Sequence, residues 1–245
     1  MSEYVTWDAL IEKMAAAGFY IERSLIVSGP KHNGLKLYRC NLPVSISELE
    51  FNVMHDIIIK NNCRSIYELS TGLGISTLAL TLAARGTHGR VISFDSYAEE
   101  ATQVQPMGTE HSLKGYQNSK CYRNAVGLVE TFGVSSLVDL CCGWSPTDTV
   151  PALQTFTQQY GKLDFVFFDC PKDDADFQRD LSSVVPFLAD KYIICIHDTH
   201  CYSAEANRTA IKLLGVPYHH ILTKSQFYPL AMLTNHEDIE LYRNI

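Results

Sequence analysis

The sequence predicts an α/β protein built on a doubly wound, mostly parallel, seven-stranded sheet, preceded by a helical and extended segment. Three observations carry this. Residues 63–97 read CRSIYELSTGLGISTLALTLAARGTHGRVISFDSY: an apolar run, a two-glycine turn, an alanine- and leucine-rich helix, a second apolar run and a closing acid. That order is a βαβ unit of the nucleotide-binding kind. Short apolar runs then alternate with helix-forming stretches as far as residue 216, the pattern of a parallel sheet covered on both faces. Two last apolar runs, 218–222 and 230–234, can pair as a hairpin and so add one antiparallel strand.

Taken in order, residues 4–17 form a helix with Val5, Leu10, Ile11, Met14 and Ala15 on a rough apolar face, ended by Gly18. Turn signals at Ser28-Gly29-Pro30 and Asn33-Gly34 precede a possible extended segment at 35–42. Ser45 or Ser47 caps a helix over 48–59, which Asn61-Asn62 stops. The first sheet strand is 65–69, its helix 75–85 and the second strand 91–94. The polar stretch 96–119 is either a lid over a site or a solvated loop. A helix over 120–132 with Gly133 at its end leads to a strand at 137–142. A helix over 147–160 has Pro151 in its first turn, where its missing N–H costs nothing. The strand 163–168 is continuously apolar apart from Asp164, as a strand buried on both faces should be. A helix over 173–188, a strand at 192–196 and a helix over 207–214 complete the alternation, and 224–228 turns between the closing strands.

The 245 residues suffice for one α/β domain, 63–245, with residues 1–62 as an extension that packs on it. Net charge is −7 and Lys and Arg form no stripe, so a nucleic-acid partner is not expected. No apolar run is long enough to span a bilayer, and the N-terminus MSEYVTWDAL lacks the basic start and apolar core of a signal peptide. The eight cysteines include no C-x-x-C pair. They read as reduced thiols of a cytoplasmic protein rather than a zinc site. Any exposed apolar face on the first helix would leave a homodimer open.

The glycine turn carries the first chemistry. Gly72 and Gly74 leave room for a ligand against the backbone, and the helix opening at Ile75 or Ser76 presents free N–H groups to it. Asp95, about twenty residues on, stands where an acid accepts hydrogen bonds from ribose hydroxyls. Thr77 replaces the third small residue of the dinucleotide fingerprint, and Glu68 before the turn would repel a pyrophosphate but suit a positively charged group. The segment E-L-S-T-G-L-G-I-S-T resembles the first motif of class I S-adenosylmethionine (SAM) methyltransferases, and Asp95 matches their ribose-binding acid. The resemblance covers roughly 51–234 and implies the Rossmann-like methyltransferase fold, with Glu68 and Gly72 near the amino-acid end of SAM. Ser70, Gly74, Ser76, Ser96 and Asp169 join them as candidate cofactor residues. Trp144, after Gly143, either stacks on adenine or belongs to core or surface.

The second chemistry sits where two strands end in polar clusters, D-C-P-K at 169–172 and H-D-T-H at 197–200. Ligands of open α/β sheets bind at such carboxyl ends, and neighbouring strands lie about 4.8 Å apart. Asp169 and Asp198 can therefore face one gap, where they repel unless a cation or proton lies between them; oxygen ligands suit Mg²⁺ or Ca²⁺. This resembles the divalent-metal-dependent O-methyltransferases of the catechol, caffeoyl-CoA and macrocin types. The likeness implies Asp169, Asp198 and Thr199 as metal ligands and Lys172 as base, with His200 as an alternative ligand or base. The alternative role for His197 and His200 is to hydrogen-bond their own loop. The function expected is SAM-dependent O-methylation of a small hydroxylated acceptor such as a natural product, sugar or phenol. Non-methylating chemistry on the same scaffold, a non-catalytic binding role and a nicotinamide-dependent reductase are the alternatives.

Overall fold

The computed structural model describes residues 6–17, 26–28, 36–38, 46–97, 120–169, 173–216, 218–221 and 230–236. In chain order these give α1 (Trp7–Ala16), a short antiparallel pair β1 (Ile26–Ser28) and β2 (Lys36–Tyr38), and α2 (Glu48–Lys60). Then follow β3 (Ser65–Leu69), α3 (Ile75–Thr87), β4 (Arg90–Asp95), α4 (Lys120–Thr131), β5 (Val138–Cys142), α5 (Thr149–Tyr160) and β6 (Leu163–Phe168). The chain continues through α6 (Asp174–Val184), β7 (Leu188–Ile196), α7 (Ala204–Leu214), β8 (Tyr218–Ile221) and β9 (Ala231–Thr234).

The large sheet has seven strands in the order β5-β4-β3-β6-β7-β9-β8. Its pairs are parallel from β5 through β7, and β9 runs antiparallel to both neighbours. The strand order reverses between β3 and β6, and in open α/β sheets the ligand crevice lies at such a switch point, outside the carboxyl ends of the strands.

The apolar run of β6 is explained by its place. Alternate side chains point to opposite faces. Phe165 and Phe167 pack with Phe51, Ile57, Leu78 and Val91 on the side covered by α2 and α3. Val166 and Phe168 pack with Leu153, Phe156, Phe177 and Leu181 on the side covered by α5 and α6. All four are fully buried, each contributing about 2–3 kcal/mol relative to exposure. Trp7, Leu10 and Met14 of α1 belong to the first of these clusters, so α1 and α2 share a core with the sheet.

The largest boundary difference from the sequence expectation lies between α6 and β7. The helix predicted over 173–188 stops at Val184, and β7 starts at Leu188 rather than 192. Pro186 has no N–H to continue the helix, and the chain passes through a 3₁₀ turn, Val185–Phe187. The exposed Asp190 and Lys191 disguise the first half of β7. They lie where the β6–β7 register slips, between the pairs Leu163–Leu188 and Phe165–Ile193. Residues 98–119 of the stretch 96–119 expected as lid or solvated loop, Lys172 and the turn at 224–228 lie outside the described residues. Among those described, no helix is long and apolar enough to cross a membrane.

Candidate active site

Strand register gathers the site. Leu69 pairs with Phe94 on one side and Phe168 on the other, and Phe168 pairs with Ile196. One residue further on, Asp95, Ser70, Asp169 and His197 therefore form a row across four adjacent strands at their carboxyl ends. The ladder continues through this row: Ser70 N–H donates to Phe94 O at 2.8 Å, Asp169 N–H to Leu69 O at 3.1 Å and His197 N–H to Phe168 O at 2.8 Å. Three non-glycine residues with left-handed backbone stand on this rim: Ser70 (φ 87°), Tyr97 (φ 50°) and Asp198 (φ 55°). Such conformations persist where surrounding structure enforces them, and they cluster at functional sites.

The glycine turn is held from below and from the side. Both Asp95 carboxylate oxygens accept backbone hydrogen bonds, Oδ2 from Gly72 N–H and Oδ1 from Tyr97 N–H, each at 2.8 Å. A carboxylate has about four acceptor positions, so two remain for other donors. Gly74 takes φ +87°, and a Cβ there would sit 2.6 Å from Ala125 Cα. Its glycine is thus required by the packing of α4 as well as by the turn. Glu68 and Ser76 lie beneath the turn, buried. The Glu68 carboxyl accepts from Thr77 and Ser93 hydroxyls, each at 2.5 Å, and a hydrogen bond also links it to Ser76. Burial pushes it up to about 7, opposed only partly by these three hydroxyls.

A cleft of about 280 Å³ opens beside the turn, lined by Ser70, Asp95, Ser96, Trp144, Arg179 and Asp180, among others. Glu68 and Ser76 do not line it; they support the turn from inside. The loop carrying Trp144 is fixed by Asp148. Trp144 N–H donates to Asp148 Oδ2 at 2.8 Å, and Asp148 N–H returns a bond to Trp144 O at 2.8 Å. A Cβ on Gly143 would fall 2.4 Å from Asp148 Cβ, which accounts for glycine there. Arg179 pairs with Asp176 and, at 3.0 Å, with Asp180, while Asp180 also bonds Ser145. This trio, spaced i, i+3, i+4 on α6, reads in sequence as a solvated helix face, and nothing there signals a cleft.

Next to it on the rim is a cluster around one imidazole. Ligand atoms of Asp169, His197 and Asp198 lie within 4.8 Å of one another. His197 Nδ1 is 2.8 Å from Asp169 Oδ1 and 3.5 Å from Asp198 Oδ1, and its Nε2 is 3.1 Å from Glu50 Oε1. His197 and Glu50 are 3% and 1% exposed, which makes pairing obligatory for both. Burial alone would lower the imidazole, but its bonds to Asp169, Asp198 and Glu50 outweigh that and push it up to about 12.

Several expected residues thus meet and others do not. Asp169 and Asp198 share one gap, as the strand ends suggest, but His197 stands between them. Thr199 opens the 3₁₀ turn Thr199–Cys201, nearly buried, and His200 lies in the same turn. Lys172 falls outside the described residues. Glu50 was not anticipated. Its signal is the capping box S-x-x-E formed by Ser47 and Glu50, which marks a helix start and says nothing of a distant histidine.

A family profile described as a methyltransferase domain matches residues 68–199. That span contains the glycine turn, Asp95, Trp144 and all three members of the imidazole cluster. No curated protein sequence matches the chain. Among solved structures, the O-methyltransferase TomG from Streptomyces achromogenes, involved in tomaymycin synthesis and in complex with SAM, is 17% identical with a TM-score of 0.57. The match covers 95% of this chain and 92% of that one. The O-methyltransferase from Bacillus cereus in complex with SAH is 16% identical over 92% of this chain and 89% of that one, with a TM-score of 0.55. Cofactor-bound Rv0187 from MTB is 17% identical over 93% and 88%, also at 0.55. At such identities the structural likeness speaks for the fold, whereas the profile spans more than half of the 245 residues: the chain belongs to the methyltransferase-domain family.

Proposed function

We propose that this protein transfers a methyl group from SAM to a hydroxyl oxygen of a small molecule, with a divalent cation held beside the cofactor. The observation that carries the reading is the row Asp95, Ser70, Asp169 and His197, which sets a nucleoside-sized cleft directly against a cluster of hard ligands. In this reading Asp95 uses its two remaining acceptor positions for the ribose hydroxyls, and the Gly72–Gly74 turn takes the amino-acid end. Trp144 covers the adenine face, an offset or edge contact worth about 0.5–1.5 kcal/mol. SAM supplies the electrophilic methyl group.

The donor set of the cluster fits a divalent cation. Around an ion with ligands at about 2.1 Å, neighbouring donor atoms lie about 3.0 Å apart and opposite ones about 4.2 Å. The cluster's 3.5 Å separation falls in that range, its 2.8 Å one lies just below it, and all three ligand atoms lie within 4.8 Å of one another. Two carboxylate oxygens and an imidazole nitrogen suit Mn²⁺, Fe²⁺ or Zn²⁺ better than Mg²⁺. His197, rather than Thr199, completes the set with Asp169 and Asp198. A cation in this place lowers the pKa of an acceptor hydroxyl. Lys172, three residues after Asp169, and His200, two after Asp198, are the candidate bases to take the hydroxyl proton. The chain's larger contribution is to hold oxygen and methyl in line.

The test is transfer of labelled methyl from SAM to a panel of catechols, phenols, sugars and hydroxylated natural products, with Mn²⁺ or with EDTA. The expected outcome is an O-methylated product whose formation falls at least a hundredfold in Asp169→Ala. Undiminished transfer in EDTA and in Asp169→Ala would remove the cation. Transfer to nitrogen or carbon alone would remove O-methylation.

A further inference from the structure

We propose that Glu50, on a helix preceding the family-matched segment, is a positioning residue that orients His197 as a metal ligand. The inference rests on the cation reading above. It begins from the N-terminal end of α2. Glu50 Oε2 accepts from Ser47 N–H at 2.6 Å and from Ser47 Oγ at 2.9 Å, while Glu50 N–H donates back to Ser47 Oγ at 3.3 Å. This capping box occupies one carboxylate oxygen completely and fixes the side-chain rotamer. The other oxygen, Oε1, is thereby aimed across to the sheet, 3.1 Å from His197 Nε2.

The consequence for His197 follows from the chemistry of imidazole. A ring nitrogen facing a buried carboxylate carries the hydrogen. Nε2 is thereby held at ion-pair distance from Glu50 Oε1, while Nδ1, bonded to Asp169 at 2.8 Å, carries a hydrogen whose place a cation on that side would take. A carboxylate behind a ligating histidine fixes ring orientation and raises ligand basicity, and its loss typically costs 10–100-fold in metal affinity. Glu50 lies outside residues 68–199 and is 1% exposed, so it reaches neither a bulk solvent partner nor the cleft. Through it the N-terminal part of the chain becomes a component of the active site.

The experiment is titration of the full chain with Mn²⁺ alone, followed by electron paramagnetic resonance, for the wild type, Glu50→Gln and Glu50→Ala. Each protein is also titrated with SAH by calorimetry and melted. Gln retains an acceptor for the capping box, so Glu50→Gln keeps α2 and the fold. The expected result is a Kd for Mn²⁺ raised 10–100-fold in Glu50→Gln with SAH affinity unchanged. A purely structural Glu50 would move the melting temperature and leave the Mn²⁺ Kd of a folded Glu50→Gln at the wild-type value, or would move both affinities together; either result overturns the inference alone. A wild type that binds no Mn²⁺, Zn²⁺ or Mg²⁺ up to millimolar concentration overturns the cation reading and this inference with it.

Discussion

Replacing Glu68 with glutamine should make the protein more stable at alkaline pH, and by an amount the structure sets. The carboxyl is fully buried, so ionising it removes a charge from water with only hydroxyl donors to compensate. Its pKa rises from the ordinary 4.5 to about 7. The native state therefore holds this proton more tightly than the unfolded chain does. Stability is fully present below pH 4.5 and is lost between there and pH 7, after which the difference is constant. At 1.36 kcal/mol per decade the loss is about 3 kcal/mol. Glutamine offers one oxygen to the same Thr77 and Ser93 hydroxyls and carries no charge. Urea unfolding of wild type and Glu68→Gln at pH 5, 6, 7 and 8.5 isolates this group, because every other titrating residue cancels in the difference. Glu68→Gln should gain on the wild type steadily from pH 5 to pH 7 and then hold its advantage. A difference that is flat with pH, or that favours the wild type as pH rises, would refute the argument that burial dominates the three hydroxyls.

Three further substitutions test the turn and the rim. Ser70→Gly relieves a left-handed backbone costing about 1–2 kcal/mol and reintroduces glycine's entropy of about 0.5–1 kcal/mol; the melting temperature should rise by about 2 °C. Gly74→Ala drives a Cβ into Ala125 at positive φ, so it should cost about 2–5 kcal/mol in denaturant unfolding, partly recovered by adding Ala125→Gly. Trp144→Ala leaves the backbone bonds to Asp148 intact and removes only the ring. If the ring covers adenine, SAH affinity by calorimetry should fall about two- to tenfold without loss of stability.

The parts of this molecule legible in the sequence are those fixed by local chemistry or by burial on two faces. The run 65–69 and the run 163–168 coincide with β3 and β6 because helices cover both sides of each, so burial runs along the whole of both strands apart from Asp164. Asp95 was legible because turn, helix and next strand have fixed lengths. What escaped was set by tertiary register. The sequence singles out Asp169 and Asp198 but not the histidine between them, because only the bond from His197 N–H to Phe168 O reveals that 197 stands opposite 169. Glu68 reads as a group for a cationic ligand because its three hydroxyl partners, Ser76, Thr77 and Ser93, are spread over a helix and another strand. Lys191 and Asp190 made the start of β7 look helical, since a bulge lets exposed charges sit in a strand.

If the cleft at the carboxyl ends of β3 and β4 is the proposed SAM site and Asp95 governs it, SAH binding depends on that carboxylate. Calorimetric titration with SAH of the wild type and of Asp95→Ala, both checked for cooperative unfolding, tests it directly. The wild type should bind with micromolar affinity, and a folded Asp95→Ala should lose at least about a hundredfold, about 3 kcal/mol for two hydrogen bonds to a charged acceptor. No measurable binding by the wild type, or equal binding by the two proteins, would contradict it.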